Sequence, residues 1–406
     1  MSEKLILGKD TIFDTNDPNN NNHTCVFGGS GSGKSYSIVK PNILSFSDYA
    51  SSIVVSDPKG RLEQEHAYEL QKKGYKVYSI DLINPERSSC TFNLFSYITK
   101  EIDFVKIAHR IVYADPMTKT STNDVFWLHQ AEIMLSAILG LVIMIEKTGE
   151  DTLDKVMYYL SNLNADGTGL TNGLMENVSR VRGDTLVAKQ WAKIKGLMGS
   201  EKTFYSVLAS AQEPLGRYES EEMQCFFKKK KNIDFDSFAK QKSVLFLKVS
   251  DTNDTYYNFA NLIYAQAIES IFEYADKTKS GMCPIPVRFI LDDFSTNVLI
   301  ESMPRIISTA RARNVSFMLI CQSIRQLEAG YGKDAQTIIS NCDNIVFMSS
   351  NDLATCEEFG KRLDLPVCDL LYKDRDKIYI FRSGQKPVED KRYDYKLYKE
   401  HKQLER

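Results

Sequence analysis

The sequence predicts an α/β protein whose mainly parallel central sheet is interrupted by an all-α stretch, and three observations carry that expectation. Apolar runs of strand length alternate with helical stretches at both ends of the chain. One of those runs opens directly into a glycine-rich loop followed by a helix start. The middle of the chain then loses the alternation and keeps only helical spacing.

Taken in order, Leu5-Ile6-Leu7 reads as a short strand, and the Asn/Asp-rich tract from Asp14 to Asn22 as a solvated loop. His23 to Phe27 reads as a buried strand that runs into Gly28-Gly29-Ser30-Gly31-Ser32-Gly33-Lys34-Ser35, with a helix beginning at Ser35. Ser52 to Ser56 is a continuous β-branched run, the pattern of a strand covered on both faces. Asp57-Pro58-Lys59-Gly60 and a helical stretch to Lys73 follow, then a strand from Tyr75 to Ile80. Strand, helix and strand in this rhythm imply parallel βαβ units with right-handed crossovers.

From Glu101 to Asp236 no β-branched run of strand length appears, whereas Phe126, Trp127, Ala131, Met134, Leu135, Ile138 and Leu141 recur at helical spacing. Trp127 and Trp191, set in such patterns, read as core anchors. Strands resume at Ser243 to Val249, Val287 to Leu291, Ser316 to Cys321, Ile345 to Met348 and Lys377 to Phe381, with a long helix from Asn258 to Ala275. The expected organisation is a first part of a nucleotide-binding domain over 1–100, an all-α insertion over 101–236, and the second part over 237–406.

Composition bounds the function. With 406 residues, 43% hydrophobic and 26% charged, the chain has the make-up of a globular protein and not of a disordered one. A formal charge of −2 gives no global attraction to nucleic acid, so a polyanion has to be met by a local patch or a channel formed on assembly. The eight cysteines show no C-x-x-C spacing and several sit in apolar runs, which favours buried thiols over disulfides or zinc. The longest apolar stretch, Ile133 to Ile145, falls short of the ~20 residues of a membrane span.

The loop at 28–35 fits G-x-x-x-x-G-K-[ST] at every fixed position. Its glycines allow backbone N–H groups to close around a β-phosphate, Lys34 can reach the β- and γ-oxygens, and the Ser35 hydroxyl can ligate magnesium. Lys34, as an exposed loop residue, is expected to add little to the core. Phe289-Ile290-Leu291-Asp292-Asp293 is an apolar strand ending in two carboxylates, as a Walker B element does. Asp292 would hold magnesium through water, and Asp293 would polarise an attacking water. Gln322 follows a strand, where it could sense a γ-phosphate or equally cap a helix. Arg311 and Arg313 close a helix; on spacing alone both read as cations that complement its dipole. The basic run Lys228 to Lys231 reads as a solvated loop more than a DNA contact.

These motifs together resemble the coupling proteins of type IV secretion, the conjugative DNA-transfer ATPases of TraG/TraD type. The resemblance is carried by the phosphate-binding loop, Asp57-Pro58-Lys59-Gly60, Asp124-Val125-Phe126-Trp127, the acids at 292 and 293, and Gln322-Ser323-Ile324-Arg325-Gln326-Leu327 with Tyr331-Gly332. It implies a RecA-like P-loop NTPase domain interrupted by an all-α domain, ATP and Mg2+ as cofactors, and homo-hexamers with ATP at subunit interfaces. It also implies that a neighbour's arginine completes the site, and Arg311 stands at the corresponding place. The expected function is an ATPase that pumps DNA, single-stranded and with a bound relaxase, toward a type IV secretion channel from the cytoplasmic, inner face of the cell membrane. Two departures stand out: the N-terminal transmembrane helices usual in the family do not precede this P-loop, so anchoring falls to partners or to a missing segment, and Asp293 replaces the usual Glu. Competing readings are a chromosomal DNA pump of FtsK/HerA kind and a slowly hydrolysing, nucleotide-switched cargo receptor.

Overall fold

The β-branched and aromatic runs of the sequence find their backbone partners side by side in one sheet. A computed structural model describes residues 2–113, 125–147, 149, 152–296 and 298–398. Two compact units are distinguished in it. The first comprises Met1–Ile83, Asp234–Ala260 and Ala267–Arg406, and the second Asn84–Ile233 and Asn261–Gln266.

The strands of the first unit are β1 (Lys4–Ile6), β2 (Ile12–Asp14), β3 (Thr24–Phe27), β4 (Ser52–Ser56), β5 (Lys76–Asp81), β6 (Ser243–Lys248), β7 (Val287–Leu291), β8 (Val315–Cys321), β9 (Asn344–Phe347), β10 (Lys377–Arg382) and β11 (Val388–Lys391). Among the described residues, β3 to β11 form one nine-stranded sheet in the order β11-β10-β9-β3-β8-β7-β4-β6-β5. From β9 across to β5 all neighbours are parallel, while β10 and β11 turn back antiparallel at one edge. The expected α/β architecture with a mainly parallel sheet is therefore present. β1 and β2 make a separate small hairpin; β2 falls in a stretch the sequence reading left without an element.

Every residue of β3, β4, β7, β8 and β9 is buried, because helices cover both faces. Ile38, Val39 and Ile43 of the helical segment after the glycine-rich loop pack with Val26, Ile53, Val55, Ile290, Met318 and Val346 in one apolar cluster. Register then aligns the strand ends: Phe27 lies opposite Cys321, Leu291 opposite Leu319, and Val55 opposite Ile290. The loops after β3, β4, β7 and β8 therefore emerge together at the carboxyl edge, where open parallel sheets bind ligands.

In the second unit, the 21-residue helix Val125–Ile145 packs against the helices Glu101–Val112, Leu186–Leu197 and Glu201–Gly216. Its mean hydropathy of 1.9 and its length would suffice to cross a membrane, which the shorter run counted from Ile133 did not anticipate. Here its apolar face is covered by protein: Ala131, Leu135, Ile138 and Leu141 are buried, and Gln190 Nε2 donates to Ser136 Oγ at 2.9 Å. Trp191, 1% exposed, is the core anchor expected of it, with Nε1 donating to Glu176 at 2.9 Å. Asp124, which opens the Asp124-Val125-Phe126-Trp127 motif, lies outside the described residues. In the basic run, Lys229 Nζ donates to the Glu86 carbonyl at 2.9 Å.

Candidate functional site

The glycine-rich loop takes its shape from its own composition. Gly31 and Gly33 have φ of +74° and +89°, a region costly for residues with a Cβ. The Gly28 and Gly29 N–H groups donate to the carbonyls of Cys321 and Ser349, at 3.2 and 2.8 Å, which moors the loop to the ends of β8 and β9. Those two residues accordingly supply shape, and the cradle for an anion falls to the amides that follow them. The helix after the loop begins as a π turn over Ser35–Val39 and becomes α over Lys40–Asp48.

Lys34 corrects the expectation of an exposed side chain: it is only 8% exposed. Its Nζ donates to the carbonyl of Gly29 at 3.0 Å and also to that of Gly28, folding back over its own loop. Burial holds its pKa below the usual lysine value, opposed by the charges of Asp292 and Asp293. A buried ammonium satisfied only by neutral carbonyls is a group ready to exchange them for an anion.

Asp292 directly follows β7, beside this loop. Ser35 Oγ donates to its Oδ2 at 2.8 Å, and the Asp293 N–H donates to its Oδ1 at 3.1 Å. Burial, then the charge of Asp293, push the Asp292 pKa up to about 6, against the Ser35 hydrogen bond and the Lys34 charge. Asp293 turns sharply, with φ +52°, a conformation that aspartate tolerates better than most residues. Gln322 Nε2 donates to Asp293 Oδ1 at 3.2 Å. The helix cap that could have been given to Gln322 is instead Ser323, whose hydroxyl accepts from the Gln326 N–H at 3.1 Å. Tyr331 stacks on Phe294 with ring centroids 5.4 Å apart, packing the turn after the acids.

Lys34, Ser35, Asp292, Asp293 and Gln322 thus line one cleft of about 540 Å³ with the loop residues Ser30 to Gly33. The same cleft is also lined by Asp57, Lys59, Arg61 and Asp251, to which sequence reasoning assigned no role. Asp57 is 2% exposed and its Oδ2 accepts from the Glu63 N–H at 2.9 Å, so it caps the helix Arg61–Lys72 and directs the Lys59–Arg61 turn at the cleft. The signal in the sequence was the Asp57-Pro58-Lys59-Gly60 turn after a buried strand, but its chemistry depends on what faces it.

Arg311 is not brought to this cleft. It sits in the short 3-10 turn Arg311–Arg313 just before β8, whereas Gln322 follows that strand's end. Seven residues of strand separate the two edges by roughly 23 Å. Its Nη2 reaches the Pro18 carbonyl. Arg313 has a structural place: Nε and Nη2 donate to the two Asp276 oxygens at 2.8 and 3.0 Å, and the guanidinium lies 4.9 Å from the Phe272 ring centre.

A sequence profile of the family described as type IV secretory system conjugative DNA transfer matches residues 3–364. The chain belongs to this family. The conjugal transfer protein TraG of Rhizobium radiobacter is 30% identical over 160 residues, a match that spans 38% of this chain and 24% of TraG. Among solved structures, the bacterial conjugative coupling protein TrwBdeltaN70 with sulphate superposes with a TM-score of 0.70 at 13% identity, over 92% of this chain and 86% of that one. TrwB with ADP and Mg2+ gives 0.69 at 14% identity over the same shares. VirB4 of Thermoanaerobacter pseudethanolicus gives 0.58 at 12% identity, over 96% of each chain. At these identities the likeness is one of fold, and it makes this conjugative DNA-transfer family member RecA-like.

Asp292 also sets a pH dependence. Its carboxyl binds a proton up to about pH 6 when folded and only to about 3.8 when unfolded, so its stabilising contribution is full below 3.8 and lost as pH rises through 6. Asp292→Asn, which keeps an acceptor for Ser35, is expected to stabilise the nucleotide-free protein near neutral pH by on the order of 1–3 kcal/mol, fading toward pH 4. Thermal melts across pH check this; equal melting temperatures of the two proteins at pH 7.5 would contradict it.

Proposed function

We propose that this chain is a P-loop ATPase that couples ATP hydrolysis to the transfer of DNA in conjugation. The observation that carries the reading is the Ser35–Asp292 hydrogen bond, which joins residues 257 positions apart at the end of a sheet and beside Lys34. A hydroxyl and a single buried carboxylate suit Mg2+, which keeps most of its shell for waters and phosphate oxygens. Among the described residues no cluster of three or more His, Cys, Asp or Glu offers a self-sufficient metal centre, so the ion would arrive with its nucleotide. TrwB, of the same fold, has been solved with the ATP analogue ADPNP and with ADP and Mg2+.

In this reading the loop from Ser30 to Gly33 and Lys34 would hold the β- and γ-phosphates, and Ser35 and Asp292 would hold the metal, whose charge would offset that of the phosphoryl oxygens. Asp293, held by Gln322, accepts a proton from the attacking water or orients it. Arg311, at the far edge of the sheet, serves a neighbouring subunit, so that turnover requires a ring, a homo-hexamer. Single-stranded DNA with a relaxase is the proposed cargo, the channel components of type IV secretion the docking partners, and the inner face of the cell membrane the place of work. The all-α segment over 101–236 is the proposed cargo-selecting domain.

Mixing Arg311→Ala with Lys34→Ala protein tests the assembly, since a shared site can be rebuilt from one intact half of each. Hydrolysis per subunit in the mixture is expected to exceed both parents and to rise further with added DNA. A mixture that never exceeds its parents at any ratio removes the role of Arg311.

A further inference from the structure

The cleft is formed by the inner side of the glycine-rich loop, and the outer side is held as well. Arg392 directly follows β11, and its N–H donates to the Asp376 carbonyl at 2.8 Å. Its Nε donates to Asp376 Oδ1 at 3.0 Å, and Nη2 reaches the same oxygen. The remaining arm of the guanidinium, Nη1, donates to the Ser32 carbonyl at 3.0 Å. A Cβ placed on Gly33 would lie 2.7 Å from that nitrogen. Two residues on, Asp394 accepts from the Tyr36 hydroxyl at 2.7 Å, and the Tyr395 ring meets Tyr36 edge-on at 5.8 Å. The segment after β11 therefore lies along the back of the loop and its first helical turn.

We infer that Arg392 is a positioning residue for phosphate binding: it pins the Ser32 carbonyl outward so that the Gly33 N–H is presented to the anion. The inference rests on the nucleotide-binding reading above. A trans peptide unit is planar, with its C=O and N–H directed oppositely, so fixing one fixes the other. Without a partner, the Ser32–Gly33 unit is free to rotate about Gly33, which sits at φ +89° and, having no Cβ, meets few steric restraints on either side of that value. A cation on the carbonyl also polarises the peptide and strengthens its N–H as a donor. Arg392 does not line the 540 Å³ cleft, so it acts through the loop and not on the nucleotide. Arginine suits the task because separate nitrogens of one rigid planar fork hold Asp376 on one side and Ser32 on another, whereas a lysine would have to bring both acceptors to a single nitrogen. Neither Arg392 nor Asp376 lies within the residues matched by the family profile, 3–364.

The test is equilibrium binding of labelled ADP and of an ATP analogue to full-length Arg392→Ala, with thermal melts and steady-state hydrolysis alongside. Affinity is expected to fall about tenfold, the ratio that matches loss of one charge-assisted hydrogen bond, and the loss should appear in KM more than in kcat. Guanidinium ion at a sub-denaturing concentration should restore part of the affinity to Arg392→Ala and none to Lys34→Ala. Asp376→Asn, which keeps the guanidinium but loosens its clamp, should lose affinity by a smaller factor at an unchanged melting temperature, and it carries the test if Arg392→Ala fails to fold. Wild-type affinity in Arg392→Ala, or a loss that follows the melting temperature and resists guanidinium, overturns the inference. Absence of nucleotide binding by the unmodified chain would instead overturn the reading of the site.

Discussion

Lys34→Ala is expected to weaken binding of a labelled ATP analogue by on the order of 100-fold or more, since the ammonium would make at least two charge-assisted hydrogen bonds to phosphate oxygens. The fold should survive the change. Lys34 is 8% exposed, its ammonium rests on the carbonyls of its own loop, and burial depresses its pKa. A lysine whose folded pKa lies below its unfolded value is destabilising while charged, so at neutral pH removal of the charge relieves a cost, against a small loss of packing by its methylenes. Of the two residues whose carbonyls it leaves, Gly29 lines the pocket on the other side of the loop, where water can replace the ammonium. A melting temperature close to that of the unmodified chain, together with lost binding, is the expected pair of results. Retained affinity would refute the assignment of the cleft.

Much of this site was legible in the sequence because the local pattern and the chemistry coincide there. The strand into Phe27, the glycines and the Lys34-Ser35 pair form one continuous signal, and the apolar run into Asp292 and Asp293 another. That the two signals meet follows from parallel βαβ order, which gathers strand ends at one edge. What stayed hidden depends on partners distant in sequence. Gly28 and Gly29 direct their N–H groups to Cys321 and Ser349, close to 300 residues and more away, so their share in the cradle differs from the motif's simplest reading. Lys34 is buried because strand ends and loops close around it, whereas loop position alone suggested exposure. Asp57 reads as a turn residue until the helix it caps is seen.

The edges of the fold were the least legible part. β11 is Val-Glu-Asp-Lys, with three of four residues charged, and exists because β10 offers it a ladder of hydrogen bonds. Its charges suit an edge strand, which must not invite another chain to pair. β2 is three residues long, too short for any periodicity to register. The 21-residue helix Val125–Ile145 begins earlier than its unbroken apolar run does, since Val125, Phe126, Trp127 and Leu128 precede the polar His129 and Gln130 within the same helix.

Asp293 is where a motor and a slowly hydrolysing receptor diverge, and Asp293→Asn is expected to cut turnover by about 100-fold or more while nucleotide affinity holds, the pattern of an interaction made only in the transition state. The geometry favours a catalytic place for this shorter acid. A left-handed backbone at φ +52° turns it off the end of β7, and Gln322 fixes one carboxylate oxygen at 3.2 Å. An amide at 293 would keep the turn, and it would keep an oxygen for Gln322, but it could not take a proton from water. Turnover has to be measured on assembled protein with DNA present, because under the proposed role of Arg311 an isolated subunit would lack its neighbour's arginine and be inactive for an unrelated reason. Asp293→Glu separates the two readings: the added methylene carries the carboxylate deeper into the cleft, so a severalfold faster enzyme would mean that the native chain runs below its capacity, as a nucleotide-switched receptor would. A slower one would mean that backbone and Gln322 have already placed the aspartate where the reaction needs it. Unchanged turnover in Asp293→Asn under the same conditions would remove this residue from catalysis and leave Gln322 to position the water.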